Sequence, residues 1–165
     1  MKRFMPLIFG LTVTLVAAFC GQFLSDKLIF NYTDSLPHGF YFVTKTESYK
    51  RGDLIVFDIP VHVKQMVIER QYLVEDGQFM KLLVAQSGEF FCNSGPRFVA
   101  GSRDLGNIKV ADRAGRMLPK NHYCGVLKGE QIGVGIEGDV SFDSRYFGPI
   151  LASGIKGKAR PIFTF

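Results

Sequence analysis

The chain has 165 residues, 47% hydrophobic and 21% charged, which excludes two sizeable domains and excludes disorder. Its formal charge of +5 comes from Lys and Arg scattered singly or in pairs. With no basic block or recognition helix, the charge does not select nucleic acid as a partner; modest attraction to anionic lipid headgroups is its better use.

From about Phe4 to Leu24 the chain is apolar, close to the roughly 20 residues a helix needs to cross a bilayer. Lys2 and Arg3 precede this run and favour a cytoplasmic N-terminus, which puts everything after about Ser25 on the far side. The expectation is a single-pass protein of the inner (cytoplasmic) membrane with a periplasmic or other extracytoplasmic domain. A cleaved secretory signal is the alternative, although the run is long for that role and bulky Phe19 precedes Cys20. The expected division is a membrane anchor over 1–30 and a folded domain over 31–165.

Asn31-Tyr32-Thr33-Asp34-Ser35-Leu36-Pro37-His38-Gly39-Phe40-Tyr41 follows as a polar turn. Pro37 fixes its own φ and biases Leu36 toward extended geometry, while Gly39 permits conformations closed to other residues, so Ser35 sits on a rigid bend that can present its hydroxyl. Phe40–Thr44 and Leu54–Ile59 read as strands, the second entered through Arg51-Gly52-Asp53 and stopped by Pro60. Between Val61 and Leu73, Val63, Met66, Val67 and Arg70 recur at helical spacing.

Phe79–Ala85 reads as a strand with Lys81 on the face of Phe79, Leu83 and Ala85. Apolar neighbours of that kind dehydrate an amine. Full desolvation lowers a lysine pKa from near 10.4 by roughly 3 to 5 units, enough to make a base near neutrality, whereas an ordinary strand lysine sends its ammonium to water. Arg97–Pro119 reads as hairpins and a surface excursion. Tyr123–Leu127 and Gln131–Ile136 look like partners around Lys128-Gly129, and Pro149–Ile155 and Pro161–Phe165 close the domain. The fold class expected is mainly β, many short strands in one domain, behind one transmembrane helix.

Cys92 and Cys124 lie in the part that would be oxidised outside the cytoplasm, so a disulfide between them is expected, with two separate thiols as the alternative. His38, His62 and His122 match no known Ser-His-Asp order, and histidines and cysteines show no zinc-ligand spacing, so neither metal nor cofactor is expected.

Three stretches in order, the Asn31–Gly39 segment, Met80-Lys81-Leu82-Leu83-Val84, and Ser141-Phe142-Asp143-Ser144-Arg145-Tyr146-Phe147-Gly148-Pro149, together resemble the type I signal peptidases. The resemblance is strongest to their conjugal-transfer, TraF-type branch, which processes pilin precursors. It implies a signal-peptidase-like β-domain in which Ser35 is the nucleophile and Lys81 its general base. It further implies that Ser141 orients the lysine and that Asp143 and Arg145 form a supporting ion pair. Thr33 would add a second oxyanion donor beside the Ser35 N–H, with a local cap of the turn as its alternative role. The sequence departs from the family pattern at Leu82, Gly88-Glu89 and His38. The expected activity is cleavage of a secreted precursor, a pilin, with cyclisation where an amine intercepts the acyl-enzyme. A general signal peptidase and a non-catalytic, membrane-tethered assembly protein are the alternatives.

Overall fold

A computed structural model describes residues 27–165. The expected membrane helix lies outside the described residues; among those described, no helix is long and apolar enough to cross a membrane. The elements are β1 (Leu28–Asn31), β2 (Gly39–Thr44), β3 (Leu54–Asp58), α1 (Val61–Glu69), β4 (Gln78–Ala85), β5 (Phe90–Cys92), β6 (Arg97–Ala100) and β7 (Arg103–Asn107). They continue through β8 (Cys124–Val126), β9 (Gln131–Gly135), α2 (Ser144–Phe147), β10 (Ile150–Leu151) and β11 (Ile155–Thr164). The described chain is mainly β.

Seven strands form one antiparallel sheet in the order β1-β2-β11-β3-β4-β9-β10, and four form a second in the order β7-β6-β5-β8. The sheet begins at Leu28, ahead of the expected boundary at 30. Ile55, Val56 and Phe57 are buried on both faces of β3, because two separate apolar clusters cover them. On one face α1 lays Val63 and Val67 onto Ile55, Phe57, Phe79 and Leu83; each such burial is worth about 1.5–3 kcal/mol. The helix ends at Glu69, short of the expected Leu73, and Gln71 turns the chain at φ +58°. On the other face Tyr41, Val56, Met80 and Ala159 form a smaller cluster.

Three expectations need correction. The strands at Cys124–Val126 and Gln131–Gly135 do not pair with each other: β8 pairs with β5 and β9 with β4, so the Lys128-Gly129 turn passes the chain between sheets. Ala85 leaves the face of Lys81, because a register shift between Leu83 and Ala85 puts Ala85 and Val84 in the cluster with Phe91 and Phe98. The C-terminal segments are divided differently: Ile150–Leu151 is a short strand beside β9, a 3-10 turn follows over Ala152–Gly154, and β11 runs unbroken from Ile155 through Pro161 to Thr164. The proline is tolerated because β3 accompanies β11 only as far as Lys158, leaving Pro161 with β2 on one side alone.

The second sheet approaches the first closely. A Cβ on Gly133 would lie 2.6 Å from the Phe91 ring, so β9 must carry glycine where the two sheets meet. Cys92 and Cys124 face each other in the β5–β8 register and are joined by a disulfide.

Candidate functional site

Asn31, buried at the end of β1, ties the turn that presents Ser35. Its Nδ2 donates to the carbonyls of Thr33 (3.0 Å), Leu36 (3.0 Å) and Pro37 (3.1 Å), and its Oδ1 accepts from Thr33 N (3.2 Å) and Thr33 Oγ1 (2.7 Å). Tyr41 on β2 adds a hydroxyl bond to the Pro37 carbonyl at 2.8 Å. At the far end Gly39 adopts φ +140° and lies so close to β11 that a Cβ would meet the Phe163 carbonyl at 2.1 Å. Both sides of the bend are therefore fixed, with Ser35 between them. The sequence reading gave Asn31 and Tyr41 no role. An Asn two residues before a Thr, at a strand end, is the signal of an Asx turn that marks the first; the second is a contact only the fold creates.

Lys81 lies in the middle of β4, opposite Ile55 of β3, and only 4% of its surface is exposed. Its Nζ donates to Ser35 Oγ at 2.6 Å, across 46 positions of sequence. The Phe79 ring centroid lies 5.9 Å from the same nitrogen. Burial pulls the Lys81 pKa down to about 8, with smaller opposing effects from the Asp143 carboxylate, which raises it, and the Arg145 guanidinium, which lowers it. The Phe79 and Leu83 neighbours expected from the strand pattern are in place.

Ser141 lines the same cleft, yet its buried hydroxyl has no hydrogen-bond partner among the described residues. The bond to Lys81 that the resemblance implied is not formed here. Thr33 Oγ1 sits 3.4 Å from Ser35 Oγ while donating to Asn31, so it must turn from Asn31 to serve an oxyanion. Asp143 and Arg145 are both fully buried and bonded at 2.8 Å. The guanidinium also donates to the carbonyls of Ile136 (2.6 Å), Gly138 and Asn107 (3.4 Å), while Asp143 Oδ2 accepts from Ile136 N at 3.1 Å. Every charge in the pair has a partner.

The cleft encloses about 720 Å³. Its far wall is the excursion at 109–118, which the sequence gives only as surface. Tyr72 donates to Asp112 Oδ2 at 2.6 Å and Arg116 to the same carboxylate at 2.8 Å, and these bonds, the tyrosine's first, hold the Asp112 carboxyl well below the usual range. Arg113 at the tip reaches Asp34, next to Ser35, at 3.1 Å. Among the described residues no histidine hydrogen-bonds Ser35: His38 approaches Asp34 at 3.4 Å, and His62 meets the Phe147 carbonyl. No group of three or more His, Cys, Asp or Glu is placed to hold a metal ion among the described residues. A buried amine of lowered basicity against a serine hydroxyl can move a proton from oxygen to nitrogen.

A plasmid transfer protein TraF of Escherichia coli is 30% identical over 146 residues, covering 82% of each chain. A second Escherichia coli plasmid transfer protein TraF is 31% identical over 170 aligned positions, 96% of this chain and 93% of the relative. A conjugal transfer protein TraF of Agrobacterium fabrum is 72% identical over a 25-residue stretch, 15% of this chain and 14% of the relative. The pattern of the signal peptidase, peptidase S26, family matches residues 1–164, essentially end to end, and the chain belongs to that family.

Proposed function

We propose that the protein is a membrane-anchored serine endopeptidase that acts outside the cytoplasm in conjugation, using Ser35 and Lys81 to process a secreted precursor, a pilin. The observation that carries this is the 2.6 Å contact between a buried lysine amine and a serine hydroxyl held on a fixed bend. The names of the TraF relatives support the setting in conjugation. Exposed Phe30, Phe40, Phe163 and Phe165 lie together at the end of β1 beside the Ser35 bend, an apolar patch that supports the membrane setting.

With a pKa of about 8, about a tenth of the Lys81 amine is neutral at pH 7. In that fraction the Ser35 hydroxyl donates to the nitrogen lone pair. Attack of Oγ on the scissile carbonyl carbon passes the hydroxyl proton to Lys81 and leaves an oxyanion beside the Ser35 backbone N–H. Collapse breaks the C–N bond, and the leaving amine takes the proton back from Lys81. The resulting Ser35 ester is then opened by water, which gives its proton to the Lys81 amine, and that proton returns to Ser35 Oγ as the ester C–O bond breaks. An amine in place of water forms a peptide bond and turns the hydrolase into a cyclase. Thr33 can reach the oxyanion by releasing Asn31, and Ser141 has a free hydroxyl with which to steer the lysine.

The test is mass spectrometry of a pilin precursor co-expressed with the wild-type chain, with Ser35→Ala and with Lys81→Ala. Processing by the wild type and by neither variant is expected, and a product one water lighter than the linear chain identifies cyclisation. Processing that survives both substitutions overturns the peptidase and leaves a tethered assembly protein.

A further inference from the structure

We infer that Asn93, fixed by the Cys92–Cys124 disulfide, is a positioning residue for the Ser35–Lys81 site, and that the site needs this disulfide formed. The inference rests on the peptidase reading above.

Beyond the Gly148 N–H that reaches the Ser144 carbonyl, the four-residue helix α2 has no local donors for its carbonyls, since the last four C=O groups of a helix lack partners within it. Two asparagines flanking the second sheet, Asn93 after β5 and Asn121 before β8, donate to them. Buried Asn93 donates through Nδ2 to the carbonyls of Ser144 (3.0 Å) and Arg145 (3.3 Å), and also to that of Asn121 (2.9 Å). Asn121 donates through its backbone N–H to the Tyr146 carbonyl (3.2 Å) and through Nδ2 to that of Phe147 (2.9 Å). Asn93 is in turn held by a reciprocal pair with Tyr123: its Oδ1 accepts from Tyr123 N at 2.7 Å, and its own N–H donates to the Tyr123 carbonyl at 3.0 Å.

Cys92 precedes Asn93 and Cys124 follows Tyr123, so the disulfide closes the frame in which these bonds are made. β8 is an edge strand joined to β5 by three residue pairs, one of them the cysteine pair itself. A two-sided clamp thus grips α2 from the start of an edge strand whose other end is anchored by buried Leu127.

What α2 carries is the dry wall of Lys81. Phe147 stacks on Phe79 with ring centroids 5.8 Å apart, and Phe142, just before α2, lies 6.1 Å from the same ring. Phe79 is the ring against the Lys81 amine. Ser141 and the Asp143–Arg145 pair belong to the same gripped segment. Slackening the clamp lets these rings separate and admits water to the amine. Its pKa, held near 8 by burial, then rises toward the ordinary 10.5.

The experiment uses the full chain in detergent as wild type, Asn93→Ala and the Cys92→Ser, Cys124→Ser double variant, with thiol reduction of the wild type as a further arm. Trace acetic anhydride acetylation of Lys81, read by mass spectrometry against pH, reports the amine without substrate. kcat and KM for a pilin precursor are measured beside it. The acetylation midpoint is expected to rise by about one pH unit in all three arms, with kcat near pH 7 down about tenfold and KM within about twofold. Circular dichroism selects a temperature at which each is folded, and any arm that stays folded carries the test. An unmoved midpoint in the folded arms overturns the clamp. A wild-type chain that processes nothing overturns the peptidase reading separately, because the acetylation midpoints still report on the clamp.

Discussion

Lys81 and Arg145 are both buried cations, and the fold treats them in opposite ways. Arg145, 1% exposed, has a carboxylate and three backbone carbonyls around its guanidinium. Lys81, 4% exposed, has one neutral hydroxyl and an aromatic ring. A charge met on every side is structure; an amine left against a neutral partner gains from losing its proton, and that is chemistry. The two sit in one network, since the Asp143–Arg145 pair presents the amine with opposed charges, leaving burial to decide its basicity.

Removing Arg145 is the largest way to break this comparison. Arg145→Ala strands the Asp143 carboxylate and should cost about 3–5 kcal/mol of stability, measured by chemical denaturation. Removing the amine should do the reverse. The gap between about 8 and 10.5 corresponds to a cost of about 3 kcal/mol for keeping Lys81 charged when folded. Lys81→Met, which also loses the bond to Ser35, should therefore be inactive yet more stable by about 1–3 kcal/mol at pH 7. Below pH 8 the amine is protonated folded and unfolded alike, and the cost is whole. Between pH 8 and 10.5 the unfolded chain binds a proton that the folded one does not, so wild-type stability rises with pH and the advantage of Met fades. A stability difference that stays constant from pH 7 to 10.5 would contradict this.

Smaller effects sharpen the same contrast at Ser35. Asn31→Ala releases the carbonyls of Leu36 and Pro37 and should cost about 1–2 kcal/mol, with a matching drop in kcat and little change in KM. The least effect belongs to Arg113→Ala. Its pair with Asp34 is exposed, so a loss under about 1 kcal/mol, smaller still in high salt, is the expected outcome.

The Ser35–Lys81 pair was legible through three motifs in order, to which local chemistry added support. Pro37 and Gly39 announce the bend at Ser35, and the apolar alternation of Phe79, Lys81 and Leu83 announces a dehydrated amine. The alternation failed at Ala85 because a bulge resets the face, something no side-chain pattern records. Strands on either side of Lys128-Gly129 looked like a hairpin because each is short and apolar; their separation into two sheets depends on partners about 35 to 50 residues away. Tyr72–Asp112 and Asn93–Ser144, which shape the far wall and the clamp, join residues 40 and 51 apart, the first between side chains and the second from a side chain to a backbone carbonyl. The excursion at 109–118 therefore read as surface when it is part of the cleft.

The most direct test is the pH dependence of kcat/KM for cleavage of a pilin precursor from pH 6 to 10. A neutral Lys81 base predicts a rise with slope one that levels above an inflection near 8, with the low-pH limb missing in Lys81→Met because activity is gone. An inflection in the ordinary imidazole range, or activity that persists in Lys81→Met, would contradict the dyad and assign the base to another residue.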